Sequence, residues 1–80
     1  MATEFPMDRF ISMQCFVRAV ETGSFSAVAR ELGTGQPNVS RHIAALEQRL
    51  GARLLHRSTR RLTLTPEGER YYAESRRVLD

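Results

Sequence analysis

The protein is a chain of 80 residues with a formal net charge of +3 and a single cysteine, Cys15. This length is enough for one small domain with a compact core. The sequence has no long apolar run, so no membrane span is expected, and no basic segment precedes an apolar one, so no secretory signal is predicted. A lone cysteine excludes an internal disulfide and fits a reducing, cytoplasmic location.

The basic residues are all arginines, and they are concentrated in the middle of the chain. Residues 34–61 contain six arginines and one glutamate, a net charge of +5, whereas residues 1–33 and 62–80 each contain three arginines and four acidic residues, a net charge of −1. A basic block of this kind is typical of a surface that binds a polyanion such as nucleic acid. A merely solvated charged face remains the alternative at this point.

Two helices are predicted in the first half of the chain. Residues 1–6 show no periodicity and are expected to form a disordered tail. Between residues 8 and 21, apolar side chains recur at helical spacing: Phe10, Met13, Phe16, Val17 and Val20. A short second helix follows, with Ser26 predicted as its N-cap and Gly33 at its end.

A third helix is predicted over residues 35–50 after a very short turn. Its apolar side chains are Val39, Ile43, Leu46 and Leu50, and an adjoining polar surface carries Gln36, Pro37, Ser40, Arg41 and Ala44. Two helices joined by a turn of three or four residues indicate a helix-turn-helix motif.

The pattern then changes to that of a hairpin and a final helix. Leu62 and Leu64 alternate with threonines, Leu54 and Leu55 lie on the opposing run, and "STRR" (58–61) is the predicted tip. Thr65 is a predicted N-cap, followed by Pro66 at the first helical position. The resulting fold class is mainly α: a winged helix-turn-helix with three helices, a two-stranded wing and an added C-terminal helix. No stop signal precedes Asp80, so the chain is expected to be a fragment.

The polar surface of the third helix fits a DNA groove. A major groove about 12 Å wide admits one helix, and Gln and Arg can each pair with a base edge through two hydrogen bonds. Arginines of the hairpin, namely Arg57, Arg60 and Arg61, could enter a minor groove or contact phosphate. Ser24 and Ser26 could bind a phosphate at the start of the second helix, although capping alone would explain at least one of them.

Other functional classes have less support. Cys15, His42 and His56 lack the close spacing of zinc ligands, and the two histidines are expected to contact phosphate or to have no special role. No nucleophile, base and orienting group form a catalytic set, so neither an enzyme nor a cofactor is predicted. A winged helix used for protein interaction would need an exposed apolar patch in place of Ser40 and Arg41. A different winged-helix repressor family also remains a competitor.

From Met7 to about Leu79, the chain resembles the N-terminal DNA-binding domain of LysR-type transcriptional regulators of bacteria. The resemblance is carried by "FVRAVETGSFSAVARELG", "QPNVSRHIAALEQRLGARLLHRSTRRLTLTPEG" and the helix that follows. It implies binding to double-stranded DNA as a homodimer or tetramer, with a small-molecule effector domain that is absent here. It also implies a DNA-binding domain over residues 7–65 and the start of a linker helix over residues 66–80.

The resemblance further implies roles for individual residues. The major-groove residues would be Gln36, Pro37, Asn38, Ser40 and Arg41. Arg60 would be the minor-groove residue of the wing, the phosphate contacts would include Ser26, Arg57 and Arg61, and the dimerisation residues of the linker helix would be Tyr71, Tyr72, Ser75, Val78 and Leu79.

The sequence departs from the family pattern at two positions. Gly35 stands where a Ser or Thr usually caps the recognition helix, and Thr34 stands where a larger apolar residue often helps to lock the turn. The departures predict a looser turn and the loss of one contact to the DNA backbone.

Overall fold

The computed structural model describes residues 9–57 and 61–79. The predicted N-terminal tail and most of the predicted wing tip, including Arg60, therefore lie outside the described residues. The elements in chain order are α1 (Arg9–Thr22), α2 (Phe25–Leu32), α3 (Gln36–Leu50), β1 (Leu55–Arg57), β2 (Leu62–Leu64) and α4 (Pro66–Leu79). This order confirms the predicted winged helix-turn-helix.

The hydrophobic core lies where α1, α2, α3 and the wing meet. Its largest fully buried side chains include Phe16, Val28, Ile43, Leu54 and Leu55. The apolar side of α1 differs from the prediction, because Phe10 is 56% exposed whereas Ser12 and Cys15 are fully buried. The buried side of α1 therefore combines these small side chains with Phe16 and Val17.

The helix-turn-helix begins two residues earlier than predicted. Ser24, not Ser26, is the N-cap of α2: its backbone is extended and its Oγ accepts a 3.1 Å hydrogen bond from the Ala27 N–H. Ser26 therefore lies inside the first turn of α2. Gly33 ends the helix in the left-handed conformation, with φ of 67°, which glycine adopts without a steric penalty.

Helix α3 spans the predicted range and has a glycine cap at each end. Gly35 precedes it without a side-chain hydrogen bond, as predicted, and Pro37 lies in its first turn. Val39, Ile43 and Leu46 are buried, but Leu50 is 45% exposed. Leu50 instead borders a shallow crevice that Tyr71 and Glu74 of α4 also line.

The wing is a two-stranded antiparallel sheet attached to α3 by a carboxylate. Leu55 pairs with Leu64, His56 with Thr63, and Arg57 with Leu62. Glu47 of α3 accepts hydrogen bonds from the backbone N–H groups of Leu54, at 2.8 Å, and Leu55, at 3.2 Å. These bonds fix where the wing starts relative to α3.

Helix α4 packs against α1 and the base of the wing. Thr65 is its N-cap, as predicted, and accepts a 2.9 Å hydrogen bond from the Gly68 N–H. Tyr71 packs on Phe16 with ring centroids 5.5 Å apart. Four of the residues predicted for dimerisation therefore have contacts within their own chain, since Ser75 is buried and Tyr71, Tyr72 and Leu79 are half-buried, whereas Val78 is 58% exposed. Their role between subunits stays a prediction.

Candidate nucleic-acid interface

The start of α3 presents the predicted major-groove residues on one side of the molecule. Gln36, Pro37 and Arg41 are exposed, and Asn38 and Ser40 are half-buried. The other side of the same turns is fixed in the core by Val39, His42 and Ile43, which are all buried. The helix is therefore anchored through one side and leaves its polar side accessible.

The first turns of α2 and α3 are joined by their side chains. The Ser26 hydroxyl donates a 2.9 Å hydrogen bond to Gln36 Oε1 across an exposed surface. Because the amide oxygen faces Ser26, the amide nitrogen of Gln36 points away from that serine. Ser26, predicted to contact phosphate, thus has a partner within the predicted groove surface.

A second set of hydrogen bonds runs along α3. Asn38 Nδ2 donates to Thr34 Oγ1 at 2.8 Å, and Arg41 Nη1 donates to Asn38 Oδ1 at 3.1 Å. Thr34, where the sequence predicts a looser turn, makes a polar contact that the sequence did not reveal. Thr34 also borders an open crevice of about 400 Å³, which Cys15 and Leu32 help to line.

An arginine of the wing lies against the start of α2. The Arg57 guanidinium carbon is 5.0 Å from the ring centroid of Phe25, a cation–π contact. Phe25 is adjacent to Ser26, so β1 and the first turns of α2 and α3 converge on one side of the domain. Arg61, after the wing tip, is exposed.

The two histidines lie in different environments, and the cysteine is buried in the core. His42 is buried, and its Nδ1 lies 3.0 Å from the Ser12 hydroxyl of α1, so the expectation of a phosphate contact is wrong for this residue. His56 is exposed on β1. Burial raises the pKa of the Cys15 thiol to about 11, which keeps it protonated at neutral pH. No cluster of potential metal ligands occurs among the described residues.

Away from the α3 surface, an ion-pair network joins three helices. Glu21 of α1 accepts hydrogen bonds from Tyr72, at 2.6 Å, and Arg76, at 2.7 Å, both on α4. Arg18 bonds to Glu21 and to Glu31 of α2. The Tyr72 hydroxyl and the two arginines lower the pKa of the Glu21 carboxyl, and the hydrogen bond to Glu21 raises the pKa of Tyr72.

The geometry and the sequence match one known family. Residues 10–69, three quarters of the chain, match the family model described as bacterial regulatory helix-turn-helix protein, lysR family. The chain belongs to the LysR family. The resemblance noted from the sequence is thereby confirmed.

Curated relatives and solved structures agree with this membership. The chain is 47% identical over 73 residues to the HTH-type transcriptional regulator YhjC of Escherichia coli K12, covering 91% of this chain and 24% of the relative. It is 48% identical over 67 residues to DmlR of the same organism, covering 84% of this chain and 22% of the relative. The chain thus spans about a quarter of the length of the LysR-family relatives that it matches.

Two similar structures are DNA complexes of isolated domains. The CbnR domain bound to DNA superposes with a TM-score of 0.82 at 37% identity, covering 88% of this chain and 80% of that one. The BenM domain bound to catB site 1 DNA gives a TM-score of 0.83 at 38% identity, covering 88% of this chain and 78% of that one. Among the described residues of the present protein, no helix combines the length and the apolar character needed to cross a membrane.

Proposed function

We propose that this chain is the sequence-specific, double-stranded DNA-binding domain of a LysR-type transcriptional regulator. Helix α3 enters the major groove, and the wing, residues 53–65, lies at the minor groove. The observation that carries the proposal is the exposed polar surface at the start of α3, which presents Gln36, Ser40 and Arg41 beside a basic wing.

The chemistry of these side chains suits base recognition. Arginine can donate two hydrogen bonds to guanine O6 and N7, and glutamine can pair with adenine N6 and N7. Ser40 is short enough to let the backbone of α3 approach the bases. Arg57 and Arg61 supply positive charge outside the groove, where phosphates lie, and Arg60 is the proposed minor-groove residue.

The solved complexes of the CbnR and BenM domains with DNA support this assignment, because this chain shares their fold and more than a third of their aligned sequence. As in the sequence-based hypothesis, the partners would be double-stranded DNA and a second copy of the protein paired through α4. A small-molecule effector would act through a further domain. The chain acts as a regulator, not as an enzyme, in the cytoplasm.

The first test is a fluorescence-anisotropy titration of the chain with a random duplex and with a duplex selected from a library, each at two salt concentrations. We expect salt-dependent binding to both and far tighter binding to a selected, roughly palindromic site. Equally weak binding to both duplexes would refute base-specific recognition by this chain.

The second test assigns the role of Arg41. Arg41→Ala is expected to cost about 1–3 kcal/mol on the selected duplex and to relax the preference at one base pair. Arg49→Ala removes the same charge from the exposed last turn of α3 and should leave base preference unchanged. A uniform loss of affinity with Arg41→Ala would exclude Arg41 from base reading.

Arg57→Ala should weaken binding to all duplexes alike and lower the salt slope by about 1.

A further inference from the structure

We infer that Thr34 and Asn38 are positioning residues that hold the Arg41 guanidinium ready for its base, and that Asn38 does not itself read a base. This inference rests on the proposed function. It assigns a specificity role to a threonine in the turn, outside the set of residues predicted to enter the groove.

The orientation of the Asn38 amide follows from the chemistry of its partners. A guanidinium can only donate hydrogen bonds, so the amide atom that lies 3.1 Å from Arg41 Nη1 is the oxygen. The amide nitrogen then faces Thr34, whose hydroxyl accepts its hydrogen bond at 2.8 Å. Both ends of the amide are engaged within the protein, in a single orientation.

The spacing of the three residues suits this role. Asn38 and Arg41 are three residues apart on α3, a separation at which side chains meet along a helix, and Thr34 lies in the turn just before the Gly35 cap. Thr34 is half-buried in the turn and Asn38 half-buried on α3, whereas Arg41 is exposed. The contacts therefore run from a half-buried residue of the turn outward to an exposed, charged side chain.

The consequence for DNA binding is preorganisation. A long arginine side chain loses rotamer freedom when it forms a bidentate pair, and a contact that already limits that freedom reduces the loss on binding. Without the Thr34 hydroxyl, the Asn38 amide can rotate and its oxygen is no longer held toward Arg41. Affinity and base preference should then both fall.

Thr34→Val tests the inference, because valine keeps the shape of threonine and removes the acceptor. We expect a roughly three- to tenfold loss of affinity for the selected duplex, the size of one lost hydrogen bond. The discrimination should weaken at the same base pair that Arg41→Ala affects, with an unchanged salt slope. Thr34→Ser, which keeps the hydroxyl, should retain affinity and discrimination, and thermal melting should show all variants folded.

A measurement without DNA separates this inference from the proposed function. The ¹⁵N relaxation of the Arg41 Nε–H group reports how restricted the side chain is in the free protein. We expect Thr34→Val and Asn38→Ala to raise its mobility to the same extent, and the double variant to add nothing further. Arg49 Nε–H serves as the reference, with no change.

The outcomes are distinct. Unchanged Arg41 mobility in Thr34→Val, or unchanged base discrimination while Arg41→Ala loses it, overturns the positioning role and leaves the DNA-binding proposal standing. Suppose instead that Arg41 mobility increases in Thr34→Val but the protein binds all duplexes alike. This result refutes the proposed function. The contact between Thr34, Asn38 and Arg41 is then a structural feature with no part in base reading, so the specificity role is overturned as well. Equal discrimination loss in Thr34→Ser and Thr34→Val would show that the hydroxyl is not the cause.

Discussion

At the residue scale, the Ser26 hydroxyl shows how a short side chain can act through a longer one. It donates to Gln36 Oε1 at 2.9 Å, so the Gln36 side chain has a partner within the protein before any base is present. The family resemblance also implies that Ser26 contacts a DNA phosphate, and that contact would use the same hydroxyl. The two roles differ in what they do to base preference.

We expect Ser26→Ala to weaken the discrimination at the base pair that Gln36 is proposed to read by roughly two- to tenfold, because one orienting hydrogen bond is lost. The salt slope should stay unchanged. Binding to single-base variants of the selected duplex measures this effect, and Ser26→Thr, which keeps the hydroxyl, is the control. If affinity falls equally on all duplexes, Ser26 is a phosphate contact instead.

At the element scale, the position of α4 depends on one glycine. A Cβ at Gly68 would lie 2.1 Å from the backbone oxygen of Leu54 and 3.1 Å from a Leu64 side-chain atom. The first turn of α4 can therefore lie directly on the start of the wing only because residue 68 has no side chain. Thr65 reinforces the same junction, since its hydroxyl also donates to the Arg53 carbonyl at 2.6 Å.

Gly68→Ala is expected to lower the free energy of unfolding by about 2–3 kcal/mol, because backbone atoms must shift to admit the methyl group. Helix propensity alone predicts the opposite sign, since alanine favours a helix over glycine by about 1 kcal/mol. Urea unfolding followed by circular dichroism measures the change. The reverse substitution at an exposed site of α4, Ala73→Gly, should cost only about 1 kcal/mol. A stabilised Gly68→Ala variant would contradict the close approach.

At the scale of the whole molecule, Glu21 connects α4 to the helix-turn-helix. It contacts α4 through Tyr72 and Arg76, and Arg18 extends the network to Glu31 on α2. The side chains involved are partly exposed, so each pair is screened by solvent and contributes modestly. Their combined effect is to orient α4 against α1.

The lowered pKa of Glu21 predicts how stability depends on pH. A carboxyl whose pKa is lower in the folded state contributes its stability above its ordinary value of 4.5, and that contribution is lost as the pH falls through the lowered value. Glu21→Gln should therefore reduce stability modestly at neutral pH, and its unfolding curve should converge with that of the parent protein in acid. Urea titrations between about pH 3 and pH 7 measure this.

Glu74→Gln is the control for that prediction, because it removes the same charge from an exposed position of α4. It should leave the pH dependence close to that of the parent protein. If Glu21→Gln gives a constant difference at all pH values, the Glu21 network does not titrate with folding.

Local signals predicted the elements well. The glycines after α2 and α3, the threonine cap of α4 and the alternation of Leu62 and Leu64 each act over a few residues, so the sequence is sufficient to read them. The misplaced cap of α2 shows where local signals are not sufficient. Ser24 and Ser26 can both cap a helix, and the burial of Phe25, which places it inside α2, is a tertiary feature.

The pattern of apolar and polar residues in the sequence did not predict the side-chain contacts between elements. Glu47 looks like an ordinary surface residue of α3, yet it binds the N–H groups at the start of the wing. His42 looks like a candidate phosphate contact, yet it is buried against Ser12, thirty residues earlier in the chain. Such contacts depend on which faces of two helices meet, and periodicity does not specify that.

By itself, the sequence determined the order of the elements, the winged helix-turn-helix and the basic middle of the chain, because these depend on spacing and composition. Its resemblance to known sequences indicated the family. Only the tertiary structure decided which side chains form hydrogen bonds. Ser26 bonds to Gln36, Asn38 bonds to both Thr34 and Arg41, and the polar side of α4 bonds to Glu21. The physical reason is that a hydrogen bond requires atoms about 3 Å apart, and only the packing of the helices brings side chains from different elements to that distance.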